Sequence, residues 1–232
     1  KIVRDLKEAK ELIASYDTED ADRLSQLSSY NRFQLQTGGT NAVAFYEYRG
    51  YRINVIAVTG LLARAYDYWG RHAEAFEQAK EAADFVYNKE DGLKALIYSN
   101  DSKTQFDRKF SSDLMFCLSD IKMTENYQPF SVSTSNDYLN MDAKVIKFEG
   151  VPEADAGDNR LRYLVERNEK WKQVGFRPLK YLKLESGNES SNMVADMLPI
   201  IRLSEMHLIM AEAKASEGNY SATDGANYYL NL

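Results

Sequence analysis

Arg52 to Ala79 reads RINVIAVTGLLARAYDYWGRHAEAFEQA, and this stretch decides the fold. Ile53 to Trp69 is apolar on nearly every side, which predicts a helix covered all round, with Trp69 in the core. Gly70 then serves as the residue that ends it. A second helix follows, with Ala75, Phe76, Ala79, Ala82, Ala83 and Val86 on one face. Two helices joined by a short glycine-containing turn make an antiparallel hairpin. Small residues at Ala63, Ala75, Ala79 and Ala82 allow the two backbones to approach closely, and Tyr66 packs in the hairpin.

The spacing of Leu62, Ala63, Tyr66, Gly70, Ala75, Ala79 and Ala82 fits a tetratricopeptide-type unit. Upstream, Ile2, Leu6, Ala9 and Ile13 lie three or four apart and predict an amphipathic helix over Lys1 to Ser15. Tyr16 to Gly50 reads as mostly irregular. From Asn88 to Leu198 the helical period breaks. Leu114 to Leu118, Lys144 to Phe148 and Tyr181 to Leu184 have the composition of short strands, set among loops rich in Asn, Ser, Asp and Tyr. Helical spacing returns at Ile201, Met206, Ile209, Met210 and Ala213, with Pro199 as its start and Gly218 as its end. Ala226, Tyr229 and Leu230 mark the apolar face of a partner helix. The expected architecture is mainly α: tetratricopeptide-like hairpins with a long irregular insertion containing short strands. The expected division of a single domain is a helical scaffold at 1–87, an irregular insertion at 88–198, and a second scaffold segment at 199–232. Both ends read as cut inside helical patterns, so a longer parent protein is expected.

Composition excludes several function classes. The chain has 232 residues and a net charge of −6, which disfavours nucleic acid, whose binding needs a basic stripe. Only two histidines are present, so no histidine-rich metal site is expected, and one cysteine, Cys117, makes an internal disulfide impossible. No apolar run approaches the roughly 20 residues of a membrane span. The sequence contains no G-x-S-x-G, H-E-x-x-H, P-loop or dinucleotide-binding motif. His72 and His207 read as packing or capping residues, and Cys117 as a buried, inert thiol. Glu153, Asp155 and Asp158 lack the ligand order of a calcium loop and read as a solvated acidic stretch. No metal, cofactor or catalytic residue is expected.

The positive signal is aromatic. Tyrosine is abundant, at 16 residues. Asn126-Tyr127-Gln128-Pro129-Phe130 and Ser135-Asn136-Asp137-Tyr138-Leu139-Asn140 set rings beside amides in what reads as polar loop. Sugars present C–H faces and hydroxyls, and flat rings beside amides suit both. Tyr127, Tyr138 and Trp171, with Asn126, Asn136 and Asn140, are therefore the candidate ligand-binding residues.

Four stretches in order resemble the SusD/RagB family. Ile2 to Ile13 is similar to its early helix. Arg52 to Ala79 is similar to its R-x-N-x-x-A-x-x-x-L-L-A-R-x-Y-x-Y hairpin. Asp158 to Leu161 (DNRL) is similar to its D-x-R motif, and Pro199 to Ala213 (PIIRLSEMHLIMAEA) to its closing motif. The resemblance implies a SusD-like α-α superhelix and a non-enzymatic, cell-surface binder of oligosaccharide or another nutrient in Bacteroidetes. It implies a SusC-like TonB-dependent transporter as partner and an outer-membrane location through a lipid anchor on a cysteine upstream of this chain. It gives Arg202 and Glu205 a structural role, expected as an i, i+3 ion pair. Two other readings are an all-α glycoside hydrolase with a carboxylate pair and a tetratricopeptide scaffold for a protein partner.

Overall fold

The computed structural model describes residues 1–19, 23, 27, 33, 48–86, 107–131, 141–142, 165–170, 173–182 and 195–231. The fold is mainly α. The elements are α1 (Ile2–Asp17), α2 (Val55–Tyr68), α3 (His72–Val86), β1 (Leu114–Ser119), α4 (Met123–Ser131), β2 (Met141–Asp142), β3 (Val165–Lys170), β4 (Gln173–Pro178), β5 (Met197–Arg202), α5 (Leu203–Ser216) and α6 (Ala226–Leu230). They divide into two compact units. The first comprises Lys1–Ile97, Ser112–Leu118 and Pro199–Leu232, and the second Tyr98–Ser111 and Ser119–Leu198. Lys144 to Phe148, expected as a strand, and the DNRL and Glu153–Asp158 stretches lie outside the described residues.

The first unit is built round α2. Val55 to Gly60, Leu62, Ala63 and Tyr66 are all buried, so its N-terminal half has no solvent face. It packs on α1, α3 and α5, and α3 packs on α5. Ala63, Ala75, Ala79 and Ala82 are fully buried, as close backbone packing requires. At Gly60 a Cβ would stand 3.1 Å from Ile201 Cγ2 and 3.3 Å from Met115 Cε, so β5 and β1 side chains occupy the space a larger residue needs. Gly70 (φ 73°) and Gly218 (φ 74°) end α2 and α5 in the left-handed region that glycine adopts without a steric penalty.

Two aspartates cap helices from a distance. The buried Asp17 carboxylate, at the end of α1, accepts the Val55 N–H (2.8 Å) and pairs with Arg49 (2.5 Å). Asn54 caps the same helix locally by accepting the Ala57 N–H at 2.8 Å. Asp113, in the 3-10 turn before β1, accepts the Ser204 N–H (2.8 Å) and hydroxyl (2.9 Å) and pairs with Arg202 (3.1 Å). Arg202 itself gives α5 no side-chain cap. Each cap satisfies helix-end donors that burial would otherwise leave orphaned. Burial raises the Asp17 pKa above the ordinary value, and the Val55 N–H and Arg49 act against that rise.

Several expectations are corrected. Pro199 lies inside β5, and the helix begins four residues later at Leu203. A proline is tolerated in a strand of a two-stranded sheet because its missing N–H can face away from the partner, and among the described residues β5 pairs with β1 alone. Arg202 and Glu205 do not pair with each other. Arg202 takes an extended backbone (φ −118°, ψ 149°) and reaches Asp113. Glu205 grips Arg64 of α2 through two bonds, 2.5 and 2.6 Å, while that guanidinium also donates to the Ile200 carbonyl at 2.8 Å. Trp69 is 62% exposed, because α2 leaves the core after Tyr66. Ile2 and Leu230 are exposed as well, and Val3 joins Leu6, Ile13 and Ala14 against the core in its place. Tyr181 and Leu182 form a turn and its exit rather than a strand. Leu114–Ser119 is a strand, and Cys117 is buried within it.

Replacing Glu205 with alanine strips the Arg64 fork of its partner and should lower stability by about 2 kcal/mol in urea unfolding. Arg64→Lys keeps the charge but not the bidentate geometry, and should cost about 1 kcal/mol. His207 in α5 is 5% exposed, and burial lowers its pKa below the ordinary 6.5 against an opposing pull from Asp113. A histidine with a depressed folded pKa contributes stability that is complete above its unfolded value and is lost as pH falls through the folded one. The urea midpoint should therefore drop as pH falls from 7 to 5, and His207→Gln should reduce that drop.

Candidate functional site

The second unit carries the described part of the candidate ligand site. The segment 126–130, read from sequence as loop, is helical and belongs to α4. Its entry is built by Asp120, whose carboxylate accepts the Lys122 N–H (2.9 Å) and whose carbonyl accepts the Met123 N–H (2.9 Å). Glu125 in the first turn complements the helix dipole. Pro129 sits inside the helix, where it lacks the N–H that would reach back one turn, and it is the residue that makes the sequence look irregular.

The two candidate residues on α4 have different environments. Tyr127 is half-buried. Its hydroxyl donates to the Pro178 carbonyl at 2.9 Å, at the end of β4, and its ring meets Tyr181 edge-on at 5.4 Å. Thr124 reinforces this contact by donating to the Tyr181 carbonyl at 3.2 Å. Tyr181 is held from beneath by Lys109, whose fully buried ammonium lies 4.4 Å from the ring centroid. The same ammonium donates to the Ala195 and Met197 carbonyls at 2.5 Å each, which satisfies a charge that could not otherwise be buried. Lys109, Tyr181 and Tyr127 thus form a continuous support for α4.

Asn126 is exposed, and Phe130, one turn further on, is 43% exposed. Residues at i and i+4 share a helix face, so α4 presents an amide and an aromatic ring together. Phe130 is the functional candidate that the sequence reading passed over. Its pairing with Asn126 becomes visible only once the segment is read as helix. The arrangement offers a C–H stacking surface beside a group that both donates and accepts hydrogen bonds. Tyr138, Trp171, Asn136 and Asn140 lie outside the described residues. The β3–β4 hairpin that flanks Trp171 is antiparallel, with Lys170 opposite Gln173 and Val165 opposite Pro178.

The first unit also holds an open cleft of about 360 Å³, lined by Lys7, Tyr66, Glu74, Phe76, Lys214 and Glu217 among others. Lys214 stands 4.5 Å over the Phe76 ring and Lys7 5.8 Å over Tyr66. The ring faces in this cleft are therefore already occupied by cations, whereas among the described residues no cation stands over the Phe130 ring on α4.

Residues 64–232 match the model of the SusD family, and the chain belongs to that family. Its fold is similar to a SusD-like carbohydrate binding protein from Bacteroides vulgatus, at a TM-score of 0.55 and 16% identity, covering 99% of this chain and 40% of the other. It is also similar to a candidate sugar binding protein from Bacteroides vulgatus, at a TM-score of 0.52 and 22% identity, covering 91% of this chain and 43% of the other. The chain thus spans less than half the length of either structure. No curated protein matches it.

Tyr127→Phe should cost about 1 kcal/mol through loss of the bond to Pro178. Tyr127→Ala should cost about 3 kcal/mol, because the Tyr181 ring loses its packing partner. Chemical denaturation followed by tyrosine fluorescence reads both.

Proposed function

We propose that the protein is a non-catalytic, cell-surface binder of oligosaccharide, and that α4 forms part of its ligand surface. The observation that carries this reading is the joint exposure of Asn126 and Phe130 on α4 in a chain of the SusD family. A pyranose lays its C–H face on an aromatic ring while its hydroxyls reach a neighbouring amide. Tyr138, Trp171, Asn136 and Asn140 belong to the same proposal on the strength of their residue types in the sequence. Tyr127 contributes by fixing the helix that carries Asn126 and Phe130. Delivery of the bound glycan to a SusC-like TonB-dependent transporter, at the outer face of the outer membrane, is part of the same proposal. The family resemblance supports it.

The test is affinity electrophoresis and calorimetry against a panel of glycans, with the parent and with Asn126→Ala, Phe130→Ala, Tyr138→Ala and Trp171→Ala. Loss of a stacked ring should weaken binding about tenfold, or roughly 1.4 kcal/mol. Equal binding by all four variants removes the proposed surface. Turnover of a glycan by the purified protein replaces the reading with a glycosidase.

A further inference from the structure

The turn between α2 and α3 brings together three groups that the fold leaves without an evident purpose. Asp67 lies in the last turn of α2, His72 opens α3, and Glu212 projects from α5. One ligand atom from each lies within 4.8 Å of the other two. Asp67 Oδ1 and His72 Nδ1 face each other at 3.7 Å, too far for a direct hydrogen bond. Both atoms are sealed from solvent, and among the described residues neither has a hydrogen-bond partner. Their side chains are otherwise 21% and 32% exposed, so the pair lies just beneath the surface with a route to it.

We propose that Asp67, His72 and Glu212 bind a divalent transition-metal ion of the Zn2+ class, with water completing the coordination. Two ligands bonded to zinc at about 2.0–2.1 Å in tetrahedral geometry stand about 3.4 Å apart, so the 3.7 Å between Asp67 and His72 needs only a small adjustment, while the exposed Glu212, within 4.8 Å, has to swing its side chain inward. One imidazole with two carboxylates is a donor set that suits zinc and its neighbours better than calcium or magnesium, which take oxygen ligands.

Charge points the same way. The Asp67 carboxyl is raised above its ordinary pKa by burial and then by the charge of Glu212, with His72 acting in the opposite direction. The nearby cations are engaged elsewhere. Arg64 is bound to Glu205, and Arg71 to Glu74. A bound cation would relieve the repulsion between Asp67 and Glu212. The turn is also held in shape without it. The Arg71 N–H donates to the Tyr66 carbonyl and the Gly70 N–H to the Asp67 carbonyl, each at 2.9 Å. The ion would tie this turn to α5, closing the α2–α3 hairpin against the helix that follows β5. The sequence leads to no expected metal and reads His72 as a packing or capping residue; a site with a single histidine leaves no recognisable pattern in composition.

The experiment uses untagged protein stripped with a chelator. Zn2+ at micromolar concentration should raise the thermal midpoint by several degrees, and Mg2+ or Ca2+ should not. Co2+ should give visible absorption bands of a low-coordinate site. His72→Gln and Asp67→Asn should abolish both responses while remaining folded by circular dichroism, and Glu212→Gln should weaken them. The proposal is overturned if Zn2+ leaves the midpoint unmoved. It is also overturned if Ca2+ acts as strongly as Zn2+, or if the His72 variant binds Co2+ like the parent. The first of these results would mean that Asp67 and His72 face each other across the turn without an ion.

Discussion

Two carboxylates, Asp17 and Asp113, hold the helical unit in register. Each satisfies the N-terminus of a helix that begins far away in sequence, Asp17 on Val55 and Asp113 on Ser204. A helix buried on all sides cannot leave its first N–H groups to water, so α2 needs a protein acceptor at that end. By supplying one, Asp17 also fixes where α1 ends relative to α2. Asp113 does the same for α5 and, through Arg202, for the end of β5. The remaining contacts follow from these two anchors. Gly60 admits Ile201 and Met115, Arg64 reaches across to Glu205, and Lys10 of α1 meets Glu81 (2.5 Å) and Gln78 (2.9 Å) of α3.

Much of this helical frame is legible in the sequence. The α2–α3 hairpin declares itself through alanines at fixed spacing, since only small side chains let two helices approach so closely. The amphipathic period of α1 and the apolar spacing of α5 are equally plain. The errors arise where one residue type serves two structures. Proline opens helices and also sits in edge strands, so Pro199 marks the wrong element. Asn, Gln and Pro together look like loop, yet a capped turn at Asp120 makes α4 helical. Ion-pair partners are the least legible. Arg202 and Glu205 stand three apart, but their real partners lie 89 and 141 residues away.

For the candidate ligand surface, the sequence supplied residue types without orientation. Tyr127 and Asn126 are adjacent, but one ring is turned toward Pro178 and Tyr181 while the other side chain faces solvent. Composition alone cannot separate a ring that supports a helix from one that faces solvent. The buried Lys109 explains the difference here. By fixing Tyr181 against the Ala195 and Met197 carbonyls, it gives Tyr127 something to lean on and leaves Phe130 free to face outward.

The distance between α2 and its cover has a further consequence, for biosynthesis. Arg64 and its partner Glu205 are separated by 141 residues, and Ile201 and Met206 bury the same helix from equally late positions. Ribosomes add about 5–20 residues per second, so the far side of α2 stays bare for on the order of 10 s after it emerges. An all-round apolar helix in that state is a target for aggregation and for holding chaperones. The chain can protect that side only after the whole intervening segment has been made.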